Sequence, residues 1–351
     1  MRVVVTGASG NVGTSVLAAL AEEPAVEEIV GVARRLPELQ PPKVRWRPAD
    51  VTSDDLTPIF VDADAVVHLA WAIQPSRDEE VLRRTNVLGS GRVFEAVAEA
   101  GVPSLVYASS VGAYSPGPKD RQVDESWPTE GIPTSFYSRH KAEVERLLDS
   151  FEANEPEVRV VRMRPALIFK RDAASEIRRL FIGPFLPNFL VQPGLIPFVP
   201  RVEGLRFQAV HSLDVGDAYR RAVVGDARGA FNLAAAPEIG VEELAGALRA
   251  RPLSLSPKLL RGAADLSWRL RLQPSPPGWV DMALNVPMMD SGRARRELGW
   301  QPRHTSLEAL EELLGGLHDA AGLPTPTLDP GAGGRARIGE LATGVGKRQW
   351  R

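Results

Sequence analysis

Tyr137 and Lys141 stand four residues apart in the stretch YSRHK. On a helix that spacing puts both side chains on one face. An ammonium held beside a phenol favours the phenolate and lowers a pKa whose ordinary value is about 10, so this tyrosine becomes an acid/base usable near neutrality. Ser109 and Ser110 close the apolar run SLVYASS. At the carboxyl end of a strand a serine hydroxyl can hydrogen-bond a substrate oxygen. A third group opens the chain: TGASGNVG, Thr6 to Gly13, follows Val3, Val4 and Val5 and leads into a helix-like stretch. A helix N-terminus offers unpaired N–H groups and partial positive charge, and glycine lets a phosphate and the neighbouring backbone come close. Gly7, Gly10, Asn11, Val12 and Gly13 are therefore expected to hold a dinucleotide pyrophosphate. Taken singly, each group has an ordinary structural explanation; their order along the chain gives them weight.

The elements that must position these residues alternate through the first half. Strand-like runs at Arg2–Thr6, Glu28–Ala33, Val44–Pro48, Ala65–Leu69, Ser104–Ser109 and Arg159–Arg164 are separated by helical patterns at Val12–Glu23, Asp54–Phe60, Glu79–Ala100 and Ser135–Glu152. Short apolar strands between helices predict an α/β fold, a doubly wound (Rossmann) parallel sheet covered on both faces. The expected organisation is a dinucleotide-binding domain over residues 1–165, then a smaller substrate-binding region over 166–321 interleaved with the last strands of the sheet. In that region strands are expected at Arg206–Val210 and Ala230–Leu233, and helices at Val215–Val224, Val241–Ala250, Pro257–Leu270 and Leu307–Ala321, with PSPPG (Pro274 to Gly278) as a break. Residues 322–351, rich in Gly and Pro, are expected to be a mostly flexible tail.

Composition narrows the partners. The 351 residues are 44% hydrophobic with a net charge of −2 and no long run of like charge, which favours a small-molecule substrate and gives no electrostatic reason for nucleic acid or an acidic membrane surface. There are no cysteines, so disulfides, zinc–thiolate sites and thiol nucleophiles are excluded. The five histidines lack metal-ligand spacing, and no metal site is expected. The chain starts directly on strand-like sequence with no secretory pattern, so the cytoplasm is the expected location. Leu180 to Pro200 carries no charge over a membrane-spanning length, but Pro184, Pro187, Pro193, Pro197 and Pro200 break any continuous helix. An apolar loop region over a binding cleft is expected there. After the second strand the chain reads VGVARRLPEL, with Arg34 and Arg35 where NAD-binding folds usually carry an acid for the ribose 2′-OH. An arginine accepts a 2′-phosphate, so NADP is favoured over NAD.

These features sit among further motifs: ADV at Ala49–Val51, VVHLAW at Val66–Trp71, NVLGS at Asn86–Ser90, YASSVGAY at Tyr107–Tyr114, RP at Arg164–Pro165, VHSLDVGDA at Val210–Ala218 and ELGWQP at Glu297–Pro302. Together, over about residues 1–315, they resemble the short-chain dehydrogenase/reductases, in the extended branch of NAD(P)-dependent sugar epimerases and dehydratases. The resemblance implies Tyr137 as catalytic acid/base, Lys141 lowering its pKa and binding the nicotinamide ribose, and Ser110, with Ser109 as the alternative, orienting the reacting oxygen. It implies that Asp50 and Val51 contact the adenine, that Ala70 lies along the cofactor and that Asn86 supports the active-site backbone within the cofactor-binding set. It gives His211 and Asp214 a structural place, not a catalytic one. It also implies a homodimer through two long helices, with apolar stripes from Leu82, Val93, Val97, Val144, Leu147 and Leu148, part of which packing against the sheet also accounts for.

The sequence departs from the sugar-modifying pattern after Arg164-Pro165. Phe169 and Lys170 stand where a YGP-like turn is usual, an apolar segment follows, and Trp71 replaces what is more often a small residue. A pocket for a less polar alcohol or ketone is expected, with Arg171, Arg178, Arg179 and Arg206 as the alternative, phosphate anchors. Three activities are thus considered: hydride transfer to or from a carbinol or carbonyl carbon of a rather apolar substrate; nucleotide-sugar epimerisation, or less so dehydration, since Val111 and Gly112 stand where dehydratases carry acids; and a non-catalytic NADP(H)-binding sensor or scaffold.

Overall fold

The computed structural model describes residues 1–73, 77–182 and 193–331. Seven strands, β1 (Arg2–Thr6), β2 (Glu28–Ala33), β3 (Val44–Pro48), β4 (Ala65–His68), β5 (Ser104–Ala108), β6 (Arg159–Pro165) and β7 (Gly229–Leu233), form one sheet. Its order is β7-β6-β5-β4-β1-β2-β3, with every pairing parallel. The order reverses between β1 and β4, the switch point where doubly wound sheets open a crevice beyond the strand ends. Val3 and Val5 face one core with Leu17, Leu20, Tyr219 and Trp300, while Val4 faces the other with Val66, Phe94, Tyr107 and Leu148. The period of two along β1 thus feeds both layers, which is why a parallel strand reads as an unbroken apolar run.

The helices used below are α1 (Asn11–Ala21), α2 (Gly89–Glu99), α3 (Phe136–Asn154), α4 (Ser212–Val224), α5 (Pro257–Arg269), α6 (Gly278–Asn285) and α7 (Ser306–Asp319). The long helix expected at Glu79–Ala100 is interrupted by a wide π-type turn, Arg84–Leu88. Outside the main sheet the chain makes three small two-stranded parallel ribbons: Leu167–Phe169 with Ala209–His211, Phe198–Arg201 with Arg251–Ser254, and Gln122–Val123 with Met288–Met289. Among the described residues no helix is long and apolar enough to cross a membrane.

Three expectations change. Residues 322–331 are tied to the glycine loop, because Thr325 and Thr327 both donate to the Ser9 carbonyl and Leu328 is fully buried. The flexible tail is thereby corrected for this stretch, and residues 332–351 lie outside the described part. The apolar residues assigned to a dimer face, Leu82, Val93, Val97, Val144 and Leu148, are buried within the protomer with Leu147 packed beside them. They cover the sheet, and so do not form an outward stripe. Finally, the break at Pro274–Gly278 is followed directly by α6, which the sequence reading passed over. Residues 183–192 of the segment expected to loop over the cleft, Leu180 to Pro200, lie outside the described part.

Candidate active site

The glycine turn leaves β1 with Gly7 at φ +72°, where a side chain is strained, and a Cβ there would come within 2.7 Å of the Ala70 N and Leu69 C atoms. A Cβ on Gly13 would come within 2.5 Å of the Ala8 and Gly7 carbonyl oxygens. These two glycines let the turn pack tightly, and Gly10, in an extended conformation, caps α1 without a side chain. The turn forms the floor of a cleft of about 640 Å³, lined also by Arg34, Arg35, Asp50, Val51, Ala70, Ser110, Tyr137 and Lys141. The sequence-derived set converges here with one exception: Asn86 lies behind the wall and pairs with the Ala72 backbone, accepting its N–H at 2.7 Å and donating to its carbonyl at 2.8 Å. It positions the loop after β4, as implied, and does not line the cleft.

A buried chain of hydroxyls and one imidazole ties that loop to the sheet. Ser90 Oγ donates to the Asn86 carbonyl at 2.6 Å, His68 Nε2 lies 2.9 Å from Ser90 Oγ, and His68 Nδ1 lies 2.7 Å from Thr6 Oγ1. The Ser90 proton goes to the carbonyl, so Nε2 carries the imidazole proton and Thr6 donates to Nδ1. Burial, with Lys141's charge adding to it, pushes His68 down to about 3 and keeps it neutral.

Tyr137 and Lys141 project from the first turns of α3, which starts at Ser135, whose hydroxyl accepts the Ser138 N–H. Burial raises the Tyr137 phenol above its ordinary range, and the hydrogen bond with Ser110 draws it partly back. Gly112 makes room for the ring: a Cβ there would come 2.8 Å from Tyr137. Lys141 Nζ donates to the Ala108 carbonyl at 2.6 Å and sits 3.5 Å from the centre of the Trp71 ring, against 5.9 Å from that of Tyr137. Burial pushes its ammonium well below the usual range, opposed by Glu145's charge. This corrects the expected pairing: Lys141 is held by a carbonyl and an indole face, and burial raises the Tyr137 phenol where a lowering was expected. Ser109 is engaged elsewhere, donating to Glu145 Oε1 at 2.5 Å. Burial would raise the Glu145 carboxyl, but Arg164, Ser109 and Arg162 hold it at about 2. Ser110 is thus the serine that faces Tyr137.

Several residues of the cleft were not picked out from the sequence. Trp279 of α6 lies 5.0 Å from Tyr137 and 4.9 Å from Phe181, centre to centre, and Trp71 stands edge-on to Tyr137 at 5.8 Å. Val111, Phe181 and Met282 complete an apolar wall on the side away from the glycine turn. Trp71 stands out in the sequence as a bulky residue where a small one is usual, whereas Trp279 and Met282 carry no sequence signal, since they follow a proline-rich break. Lys170, noted only as a departure, is buried and donates to the Asn11 carbonyl, Thr14 Oγ1 and Ser15 Oγ, which fixes the start of α1. Glu176, partly buried in the cleft wall, accepts the Asn11 N–H, and burial pushes it up to about 7 against the charges of Arg179 and Lys170.

Three of the candidate phosphate anchors have partners within the protein: Arg171 pairs with Asp319, Arg206 with Glu238 at 2.7 Å, and Arg179 donates to the carbonyl of Thr327 in the cleft lining. His211, His304 and Glu312 have a donor set suited to a cation. Their hydrogen bonds serve another end. His211 Nδ1 accepts the Leu213 N–H at 3.2 Å, so Nε2 carries the proton and donates to Glu312 at 3.0 Å. The group caps α4, in the structural place the resemblance implied.

The profile of the NAD dependent epimerase/dehydratase family matches residues 3–196. The chain belongs to the NAD dependent epimerase/dehydratase family. A Mycobacterium tuberculosis relative described as an uncharacterized protein is 27% identical over 317 residues, 89% of this chain but 29% of the relative, so the chain spans about three tenths of that protein's length. A Stigmatella aurantiaca protein, 4-hydroxy-2-methyl-3-oxo-4-farnesyl-3,4-dihydroquinoline-1-oxide ketoreductase, is 29% identical over 184 residues, 51% of this chain and 54% of that one. Among solved structures, Thermus thermophilus UDP-glucose 4-epimerase, complexed with NAD, superposes with a TM-score of 0.68 at 22% identity, covering 92% of this chain and all of that one. The fold is that of the family.

Proposed function

We propose that this family member is an NAD(P)H-dependent reductase of an apolar, ring-bearing carbonyl compound, with NADP(H) preferred over NAD(H). The observation that carries the reading is the aromatic and apolar wall of Trp71, Phe181, Trp279 and Met282 packed around a Tyr137 that keeps its proton. The glycine cradle fits a pyrophosphate because Gly7 and Gly13 admit no Cβ and α1 points its N-terminus into the cleft. A nicotinamide cofactor, when bound, supplies the hydride to the carbonyl carbon. Tyr137, as general acid, donates its proton to the carbonyl oxygen, Ser110 holds that oxygen by hydrogen bonding, and Lys141, on the same helix face, binds the nicotinamide ribose as the resemblance implies. Trp71, Phe181 and Trp279 exclude water and take up a flat ring. The engagement of Arg171, Arg179 and Arg206 by partners within the protein speaks against a sugar diphosphate, and the ketoreductase relative supports the carbonyl class.

The cofactor preference rests on Arg34 and Arg35, which line the cleft after β2, with Arg34 3.9 Å from Asp50. Residues 1–165 as the cofactor domain complete the proposal, since they carry the glycine turn, Arg34, Arg35, Ser110, Tyr137 and Lys141. The test is NADPH and NADH oxidation against a panel of bicyclic and prenylated ketones, with UDP-sugars as controls. Turnover of ketones with NADPH preferred about tenfold is expected, and Arg34→Ala should remove that preference. Interconversion of UDP-sugars with retained NAD+ would replace the proposal with the epimerase.

A further inference from the structure

α5 is an amphipathic helix placed with its apolar stripe outward. Leu259, Ala263, Leu266 and the capping residue Leu270 recur at the i, i+4, i+7, i+11 spacing of one helix face. All four are exposed, and the leucines are 59%, 58% and 60% accessible. The opposite side fixes the helix to the protein. Arg77 donates to the Trp268 carbonyl and its guanidinium lies 4.3 Å from the Trp268 ring, while Arg261 pairs with Asp281 of α6 at 2.8 Å. A stable helix therefore presents its leucines to the outside although its inner contacts are largely polar, the reverse of the usual placement. The ribbon leading into it exposes Phe198 and Leu253 as well.

Charge indicates what covers this face. Residues 249–271 contain six basic residues, Arg249, Arg251, Lys258, Arg261, Arg269 and Arg271, against Asp265 alone; Arg261 pairs with Asp281 and Arg269 with Asp265, so the positive excess here rests on Arg249, Arg251 and Lys258, in a chain whose total is −2. Exposed Lys258 borders the leucine stripe on one side, next to the Arg269–Asp265 pair. A leucine face bordered by excess cations is complementary to the boundary between acidic headgroups and acyl chains. A symmetric contact with a second copy would instead set this positive patch against itself.

We propose that α5 docks the protein peripherally on an anionic lipid bilayer, with Leu259, Leu266 and Leu270 at the acyl boundary and the flanking basic side chains on acidic headgroups. At thirteen residues the helix lies on the membrane and does not cross it. This revises the absence of a membrane partner expected from net charge, which averages a basic patch into an acidic chain. The docking stands on α5 alone, whatever the cleft binds.

The test is co-sedimentation of the full chain with vesicles of phosphatidylcholine alone or mixed with phosphatidylglycerol, at low and high salt. Binding to the phosphatidylglycerol vesicles is expected, falling as salt screens the charges, and reduced at least about tenfold in Leu259→Glu/Leu266→Glu. Because both side chains are exposed, the melting temperature and cofactor affinity of the variant should equal those of the wild type. Failure of the wild type to sediment with anionic vesicles, or equal binding by the folded variant, overturns the proposal. So does a wild-type dimer in solution that the double variant converts to monomer without any vesicle binding, which would assign the face to a second copy.

Discussion

On one side of the cleft the wall is backbone: Gly7 and Gly13 pack where no Cβ fits, and the Thr6–His68–Ser90–Asn86 chain holds the loop after β4. On the other side the wall is side-chain volume, with Trp279 and Met282 from α6 and Phe181 facing Tyr137. The first kind of wall suits a ligand common to many enzymes, since main-chain N–H groups read a phosphate whatever the surrounding sequence. The second suits a ligand particular to this one, because exchanging one aromatic residue reshapes the pocket without disturbing the sheet. Tyr137 stands where the two meet.

Its loss should have the largest effect. Tyr137→Phe is expected to lower kcat by about 10² to 10⁴ while the cofactor dissociation constant stays within about twofold, because only the proton donor is removed. Near-wild-type turnover would show that another group donates the proton. Separate changes on the two walls should then separate cofactor from substrate. Gly13→Ala forces a Cβ against two carbonyl oxygens, so a loss of about 1–3 kcal/mol in thermal unfolding and weaker cofactor binding in fluorescence titration are expected. Trp279→Ala should leave cofactor affinity unchanged and raise KM for an apolar ketone about 10- to 100-fold through lost burial. If Trp279→Ala weakened cofactor and ketone alike, the two walls would act as one unit.

The smallest effect concerns pH. Glu176 accepts the Asn11 N–H where a pyrophosphate would also bind, and its carboxyl is pushed up to about 7 from an ordinary 4.5. A folded-state pKa above the unfolded one means that Glu176's contribution to stability is fully present below pH 4.5 and lost as pH rises through 7. Cofactor affinity should fall in the same sense, by about fivefold across neutrality, as a carboxylate forms at a helix N-terminus. In Glu176→Gln that slope should be flat when titrated by calorimetry; an unchanged slope would assign it to another group.

How much of this was legible without coordinates follows the same division. Every strand of the sheet up to β6 lies within about a residue of its expected place, because apolar β-branched runs bounded by turn residues leave few alternatives. The glycine turn, Ser110, Tyr137 and Lys141 were legible because their chemistry depends on residue type and short spacing. What was misjudged depended on long-range packing. The contact that holds Lys141 comes from Ala108 and Trp71, 33 and 70 residues away, and burial raises the Tyr137 phenol where a lowering was expected. For Leu82, Val93 and Val144 both a dimer contact and packing on the sheet stayed open, because helical periodicity shows that a face is apolar, not what covers it; the structure buries them within the protomer.

The sequence by itself determined the parallel sheet, the glycine turn that opens α1 and the short-range grouping of Ser110, Tyr137 and Lys141, since each follows from local pattern. Only the tertiary structure decided which serine faces Tyr137, which aromatic residues wall the pocket, that residues 322–331 return to the glycine loop and that α5 turns its leucines outward. These are questions of which surfaces meet across hundreds of residues. Burial and the free energies that follow from it exist only once those surfaces have met.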